Sequence, residues 1–184
     1  MTLAEIYSVI TNLVYGDITA APVPTAEVPF IQTLILNKHK EIQDNYNFWF
    51  MRAKADISLI AGTDTYALPA DYKQMISLSY EGENYDKEFQ FIIDDIYFPE
   101  APEETKDITM DYWKYIPTPT WADDTSDVVT QYCNWPIIYM VTAMLMLKRE
   151  EKNAAGMYSQ LAAEALNSAY AEDYSRRQAA GVIF

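Results

Sequence analysis

Apolar residues from Leu3 to Tyr15 fall at three- and four-residue steps (Leu3, Ile6, Val9, Ile10, Leu13, Val14), the spacing that lays one apolar stripe along a helix. Thr2 precedes the stripe and Glu5 lies three positions on, a capping-box pair that satisfies N–H groups at a helix start. Gly16 and Asp17 end it. Pro22, Pro24 and Pro29 keep residues 21–29 extended or turned, because proline blocks helix continuation and restricts its predecessor. Thr25 to Val28 is expected to open a second helix with Pro29 in its first turn, where a missing N–H costs little. That helix would carry Phe30, Ile31, Leu34, Ile35, Lys38, Ile42, Tyr46 and Trp49 at helical spacing and pack antiparallel to the first. His39, between Lys38 and Lys40, is expected to face solvent.

After Met51 the period shortens. Residues 55–61 alternate, Gly62-Thr63-Asp64 offers a turn, and Thr65 to Leu68 reads as a second strand closed by Pro69, which together predict a hairpin. A third strand is expected over 74–80 and a further one over 107–116. Between them, 81–105 is rich in carboxylates and aromatics and fits either a short helix or an irregular arm.

Helical spacing then returns. Val128 to Cys133 reads as extended or irregular. Asn134 can cap a third helix with Pro136 in its first turn, and Ile137 to Leu147 is apolar almost all round, the mark of the most buried helix. Asn153 can cap a fourth, with an alanine-rich stripe through Met157, Tyr158, Leu161, Ala165, Leu166 and Ala169. The pattern predicts an α+β chain, mainly α: a four-helix bundle core with a β-rich insertion between the second and third helices. Residues 1–52 would form the N-terminal helical part, 53–127 the insertion, 128–175 the C-terminal helical part and 176–184 a tail.

Composition narrows the function. The 184 residues are half hydrophobic and 14% aromatic, which suits a folded domain with a proper core. A net charge of −14 repels phosphate backbones and argues against a nucleic-acid grip, which needs Lys and Arg to neutralise phosphates. The same acidity suits a conduit along which nucleic acid slides without sticking. One cysteine, Cys133, excludes a disulfide framework, and with His39 as its lone histidine the chain lacks a Cys/His set for zinc. Cys133 is expected to be buried and inert. The N-terminal segment has no basic region or cleavage site of a signal peptide, and the apolar run 135–147 falls short of the roughly 20 residues that span a bilayer.

No motif for catalysis emerges. The carboxylate pairs Asp94-Asp95, Glu103-Glu104 and Asp123-Asp124 are adjacent in sequence and so do not face one another, and no EF-hand spacing, nucleophile elbow or phosphate-binding glycine loop occurs. No enzyme activity, metal or cofactor is expected. The aromatic knot Tyr46, Phe48, Trp49, Phe50 reads as core or subunit contact at a junction between helix and strand.

That knot, with Arg52 and the run G-T-D-T-Y-A-L-P-A-D-Y (Gly62, Tyr66, Leu68, Pro69, Asp71, Tyr72), resembles head-to-tail adaptors of tailed bacteriophages, the tail accessory or tail tubular proteins of short-tailed phages. Tyr112, Trp113 and Tyr115, the acidic W-A-D-D-T-S-D stretch, and an apolar helix followed by an Ala- and Tyr-rich one agree with it. The resemblance implies a virion protein at the head–tail interface, made in the bacterial cytoplasm. It would form a homo-oligomeric ring, of twelve copies in such proteins, between the portal protein and a tail or nozzle protein. Double-stranded DNA would pass through the lumen, with no membrane involved. It also implies a portal-binding C-terminal tail, here Arg176, Arg177, Val182, Ile183 and Phe184, while Trp49, Phe50, Gly62, Tyr66, Leu68 and Pro69 would form the joint between helical body and β extension. The alternatives are a metal-assisted hydrolase directed at cell walls, using carboxylates of the acidic segment, and a soluble helical binding module using the alanine-rich helix.

Overall fold

A computed structural model of the protein describes residues 1–16, 23–122 and 126–179. The chain divides into two compact units, Met1–Trp49 with Ile116–Phe184, and Phe50–Tyr115.

The first unit holds α1 (Leu3–Tyr15), α2 (Val28–Asn45), α3 (Val128–Tyr132), α4 (Asn134–Lys148) and α5 (Lys152–Ala179). The Thr2/Glu5 capping box forms in both directions, and Leu3, Ile6, Ile10 and Val14 carry the buried stripe of α1. A turn occupies Thr25 to Glu27, so α2 starts at Val28, with Pro29 in its first turn. It ends at Asn45, where Tyr46 turns extended, and the residues up to Trp49 are not part of it. The fully buried Ile137, Ile138 and Val141 lie on α4, against which α1, α2, α3 and α5 all pack. These neighbours cover Ile137, Ile138, Val141 and Leu145, while Trp135, Met144 and Leu147 of the same helix stay exposed.

The second unit contains β1 (Arg52–Leu59), β2 (Thr65–Ala67), β3 (Tyr72–Tyr80), β4 (Glu83–Asn84), β5 (Gln90–Ile92), β6 (Asp95–Tyr97) and β7 (Lys106–Lys114). They form two antiparallel sheets, in the orders β1-β7-β3-β4 and β2-β6-β5. The unit's core gathers Ile57, Leu59 and Leu78 with Ile108, Met110 and Tyr112 of the central strand β7, and adds Ile96 and Phe98 from the smaller sheet. Alternating side chains of β7 supply its part, as the two-residue period requires.

The expected four-helix bundle with a β-rich insertion is therefore corrected to five helices and two antiparallel sheets among the described residues. Each helix has its apolar stripe, but stripes do not say whether they converge. On the 28-residue α5 the buried positions among the described residues are Ala155, Ala162, Leu166 and Asp173, a narrow line. The segment expected to be extended or irregular, Val128 to Cys133, is instead α3 with Cys133 as its C-cap; Asp127 and Thr130 form a capping box that overrides the extended preference of Val128 and Val129. The expected hairpin is absent: β1 pairs with β7 and β2 with β6, in different sheets. Alternation marks a strand without naming its partner. The 81–105 segment is neither helix nor shapeless arm but contributes β4, β5 and β6.

Candidate functional site

In the β unit, the G-T-D-T-Y-A-L-P-A-D-Y residues are spent on closing strand ends. Gly62 takes φ +77°, a conformation glycine reaches without strain, and its N–H donates to the Pro102 carbonyl at 2.9 Å. The Tyr66 hydroxyl accepts from Ile60 N–H at 2.8 Å and has the carbonyls of Thr63 (2.8 Å) and Ile60 (3.0 Å) in reach for its proton. Its ring meets Phe98 edge-on, with centroids 5.8 Å apart. Leu68 N–H donates to the Asp94 carbonyl, and the Pro69 carbonyl accepts from Tyr72 N–H, both at 2.9 Å. Asp71 accepts from the Tyr112 hydroxyl at 2.8 Å, and its carbonyl accepts from Tyr115 N–H. Burial and this carboxylate push the Tyr112 hydroxyl up to about 12.

In the helical unit the aromatic knot packs on α5. Tyr46, Phe48 and Tyr170 form a cluster with ring centroids 5.9–6.1 Å apart, and Phe48 is fully buried. Trp49 leaves half its surface exposed, but its backbone N–H donates to Asp173 Oδ1 at 2.7 Å. The second carboxylate oxygen accepts from Arg177 Nε at 2.8 Å, and the same guanidinium reaches the Asn47 carbonyl. Of the two arginines expected to bind a portal, Arg177 thus pins α5 to the segment before Trp49. Arg176 lies on the exposed side of α5, donating to the Tyr132 hydroxyl at 2.8 Å and to Glu172 at 2.6 Å. Val182, Ile183 and Phe184 lie outside the described residues. Phe50 opens the β unit, immediately after Trp49 closes the first segment of the helical one. The structure brings Trp49 and Arg177 together on the Asp173 carboxylate, whereas Gly62, Tyr66, Leu68 and Pro69 each bond to a different partner in the β unit.

A buried polar network joins His39, Gln43, Asp127 and Ile116. His39 does not face solvent: it is fully buried, with Nε2 2.7 Å from Asp127 Oδ2. Its place four residues after Ile35 and three before Ile42 continues the α2 stripe, a signal stronger than its lysine neighbours. Gln43, one turn on, accepts from Ile116 N–H at 2.6 Å and donates to the Ile116 carbonyl at 3.1 Å. Its amide nitrogen is also 3.3 Å from His39 Nδ1. Donation there leaves His39 Nε2 to carry the proton given to Asp127. Burial raises the pKa of Asp127, but hydrogen bonds from His39 and Thr130 outweigh it, and the net shift is down. Cys133 is fully buried; burial first, then the charges of Asp173 and Asp127, push its thiol up to about 12, so it is a poor nucleophile.

Among the described residues no group of three or more His, Cys, Asp or Glu side chains could hold a metal ion, and no helix is long and apolar enough to cross a membrane. The distinctive side chains build structure: they close loops, cap helices and rivet one segment to another. Residues 1–183 match the family model described as SU10 adaptor protein, and the chain belongs to that family of phage head-to-tail adaptors. No curated protein matches the chain.

Proposed function

We propose that the protein is a structural virion component that joins the head of a tailed phage to its tail. Copies assemble as a ring between the portal protein and a tail or nozzle protein, and double-stranded DNA passes through the lumen. The observation that carries this reading is the match of an adaptor family along residues 1–183. The acidic balance supports it, since a surface of net charge −14 lets a polyanion pass without holding it. The helical unit, Met1–Trp49 with Ile116–Phe184, serves as the ring body and Phe50–Tyr115 as the β-rich extension, with Trp49, Phe50, Gly62, Tyr66, Leu68 and Pro69 setting the joint. The tail from Arg176 to Phe184 binds the portal; the exposed Arg176 and the apolar Val182, Ile183 and Phe184 supply unlike contacts to one partner.

Purified particles test the role. Immunogold labelling should place the protein at the neck, and its absence from particles would overturn the reading. Deleting Gly181 to Phe184 should abolish co-purification with the portal while leaving the helical circular dichroism intact; unchanged portal binding would reject the tail assignment alone.

A further inference from the structure

The two edges of the larger sheet are not alike. β1 has β7 on one side and, among the described residues, no strand on the other. Its eight residues pair with β7 without a break and include neither proline nor glycine. Toward the opposite edge, β3 carries two register irregularities and is followed by the two-residue β4. Irregularities, proline and short strands are the usual means by which an edge is kept from pairing with another chain, and β1 has none of them. Among the described residues, no main-chain group of residues 53–59 bonds outside the pair with β7. Charge is the remaining deterrent.

Lys54, Asp56 and Ser58 stand on the exposed face of β1, while Ala53, Ala55, Ile57 and Leu59 belong to the face that meets the core of the unit. Lys54 lies across from Asp111, but both oxygens of that carboxylate are taken by Arg52. Asp56 accepts from the neutral Thr109 hydroxyl at 2.8 Å. Neither Lys54 nor Asp56 has an ion-pair partner among the described residues. A lysine and an aspartate two positions apart on one face are complementary to their own reverse. When two β1 strands run antiparallel with Ala55 opposite Ala55, Lys54 of each copy faces Asp56 of the other, and Ala53 faces Ile57 on the core side. Centred on Lys54 or on Asp56, the same pairing sets like charges opposite each other. The charge that deters other strands therefore admits this one, in one register.

We propose that β1 pairs in this way with β1 of a second copy of the chain, about a two-fold axis at Ala55, in the protein before it enters a ring. The contact is isologous, with the same strand given by both copies. Main-chain bonds then continue from one sheet into the other, and both core faces stay on the same side. A two-fold contact cannot repeat around a ring whose neighbours are related by a single rotation axis, so the pair must open at assembly. Until then it covers the edge. The pairing goes beyond the adaptor role and does not depend on it.

Sedimentation velocity of the isolated full-length protein over a range of concentrations should show a monomer–dimer equilibrium. Lys54→Asp and Asp56→Lys each place like charges opposite one another at both ends of the pair, and each should weaken the dimer about tenfold or more. An equal mixture of the two variants should restore it, because an acidic strand then faces a basic one; mixing would not undo a merely structural defect. Under mild oxidation Ala55→Cys should give a disulfide-linked dimer and Ala53→Cys none, since directly opposite Cα atoms lie about 4.5–5.5 Å apart, within disulfide reach, and the native Cys133 is buried. A wild-type protein that stays monomeric, larger assemblies without the Ala55→Cys link, single variants that dimerise as well as wild type, or a mixture that fails to dimerise would each overturn the proposal. Each of these results leaves the adaptor role to be decided by the particle experiments.

Discussion

His39 Nε2 stands 2.7 Å from Asp127 Oδ2, so a fully buried imidazole on α2 holds the residue that opens α3, 88 positions further along the chain. The same imidazole meets Gln43, whose amide holds both backbone groups of Ile116. His39→Ala would remove a buried hydrogen-bond partner of both Gln43 and Asp127 inside the helical unit. A loss of about 1–3 kcal/mol is expected, read as a lower urea midpoint at unchanged slope. An unaltered midpoint would mean that the network carries no net stability.

Asp127 makes that stability depend on acid. Its pKa is lowered in the fold from the ordinary 3.8, because hydrogen bonds from His39 and Thr130 outweigh the burial that raises it. A group with a depressed folded pKa stabilises above its unfolded value, and the contribution fades as pH falls through the folded one. Asp127→Asn should therefore cost stability at pH 7, and the gap to wild type should shrink below about pH 4. Urea melts of both proteins between pH 7 and 3 check this; a gap that widens in acid would contradict it.

Arg176 and Arg177 are neighbours with different duties. The Arg177–Asp173 pair has side-chain exposures of 15% and 5%, so Arg177→Ala strands a buried carboxylate and should cost about 3 kcal/mol. The Arg176 side chain is 43% exposed, and Arg176→Ala should leave the melting temperature unchanged. Thermal melts followed by circular dichroism separate the two, and equal effects would refute the assignment.

Ile93 occupies the two-residue turn between β5 and β6 with φ +56°, where a β-branched side chain is strained, and it is 91% exposed. The turn is braced by Leu68 N–H on the Asp94 carbonyl. Ile93→Gly should raise stability by about 1 kcal/mol, measured by the same melts. A loss would show that the isoleucine side chain stabilises the turn despite its exposure.

Local features of the chain could be read before the structure, and pairings could not. The Thr2/Glu5 box, the stripe of α1, the apolar circumference of α4 and the burial of Cys133 each follow from a few consecutive residues. The partners of β1 and β2 depend on which apolar faces meet across some 30–60 residues, and alternation is silent on that. Lys38 and Lys40 suggest a solvent-facing His39, but the Ile35–His39–Ile42 spacing sets it on the buried stripe of α2. The Asp127/Thr130 box was equally plain in sequence, yet two consecutive valines masked it. Of the site residues, Gly62 and Pro69 could be recognised by turn chemistry; the engagement of Arg177 with Asn47, 130 positions away, had no local signature.

The Tyr66 hydroxyl binds main-chain groups only, at Ile60 and Thr63. Main-chain groups are the same whatever side chain a residue bears. The loop it closes can therefore drift in sequence at positions 60, 61 and 63 with little penalty, Gly62 excepted for its φ, but it cannot change length. Among homologous chains, substitutions should collect in this loop while insertions and deletions stay out of it.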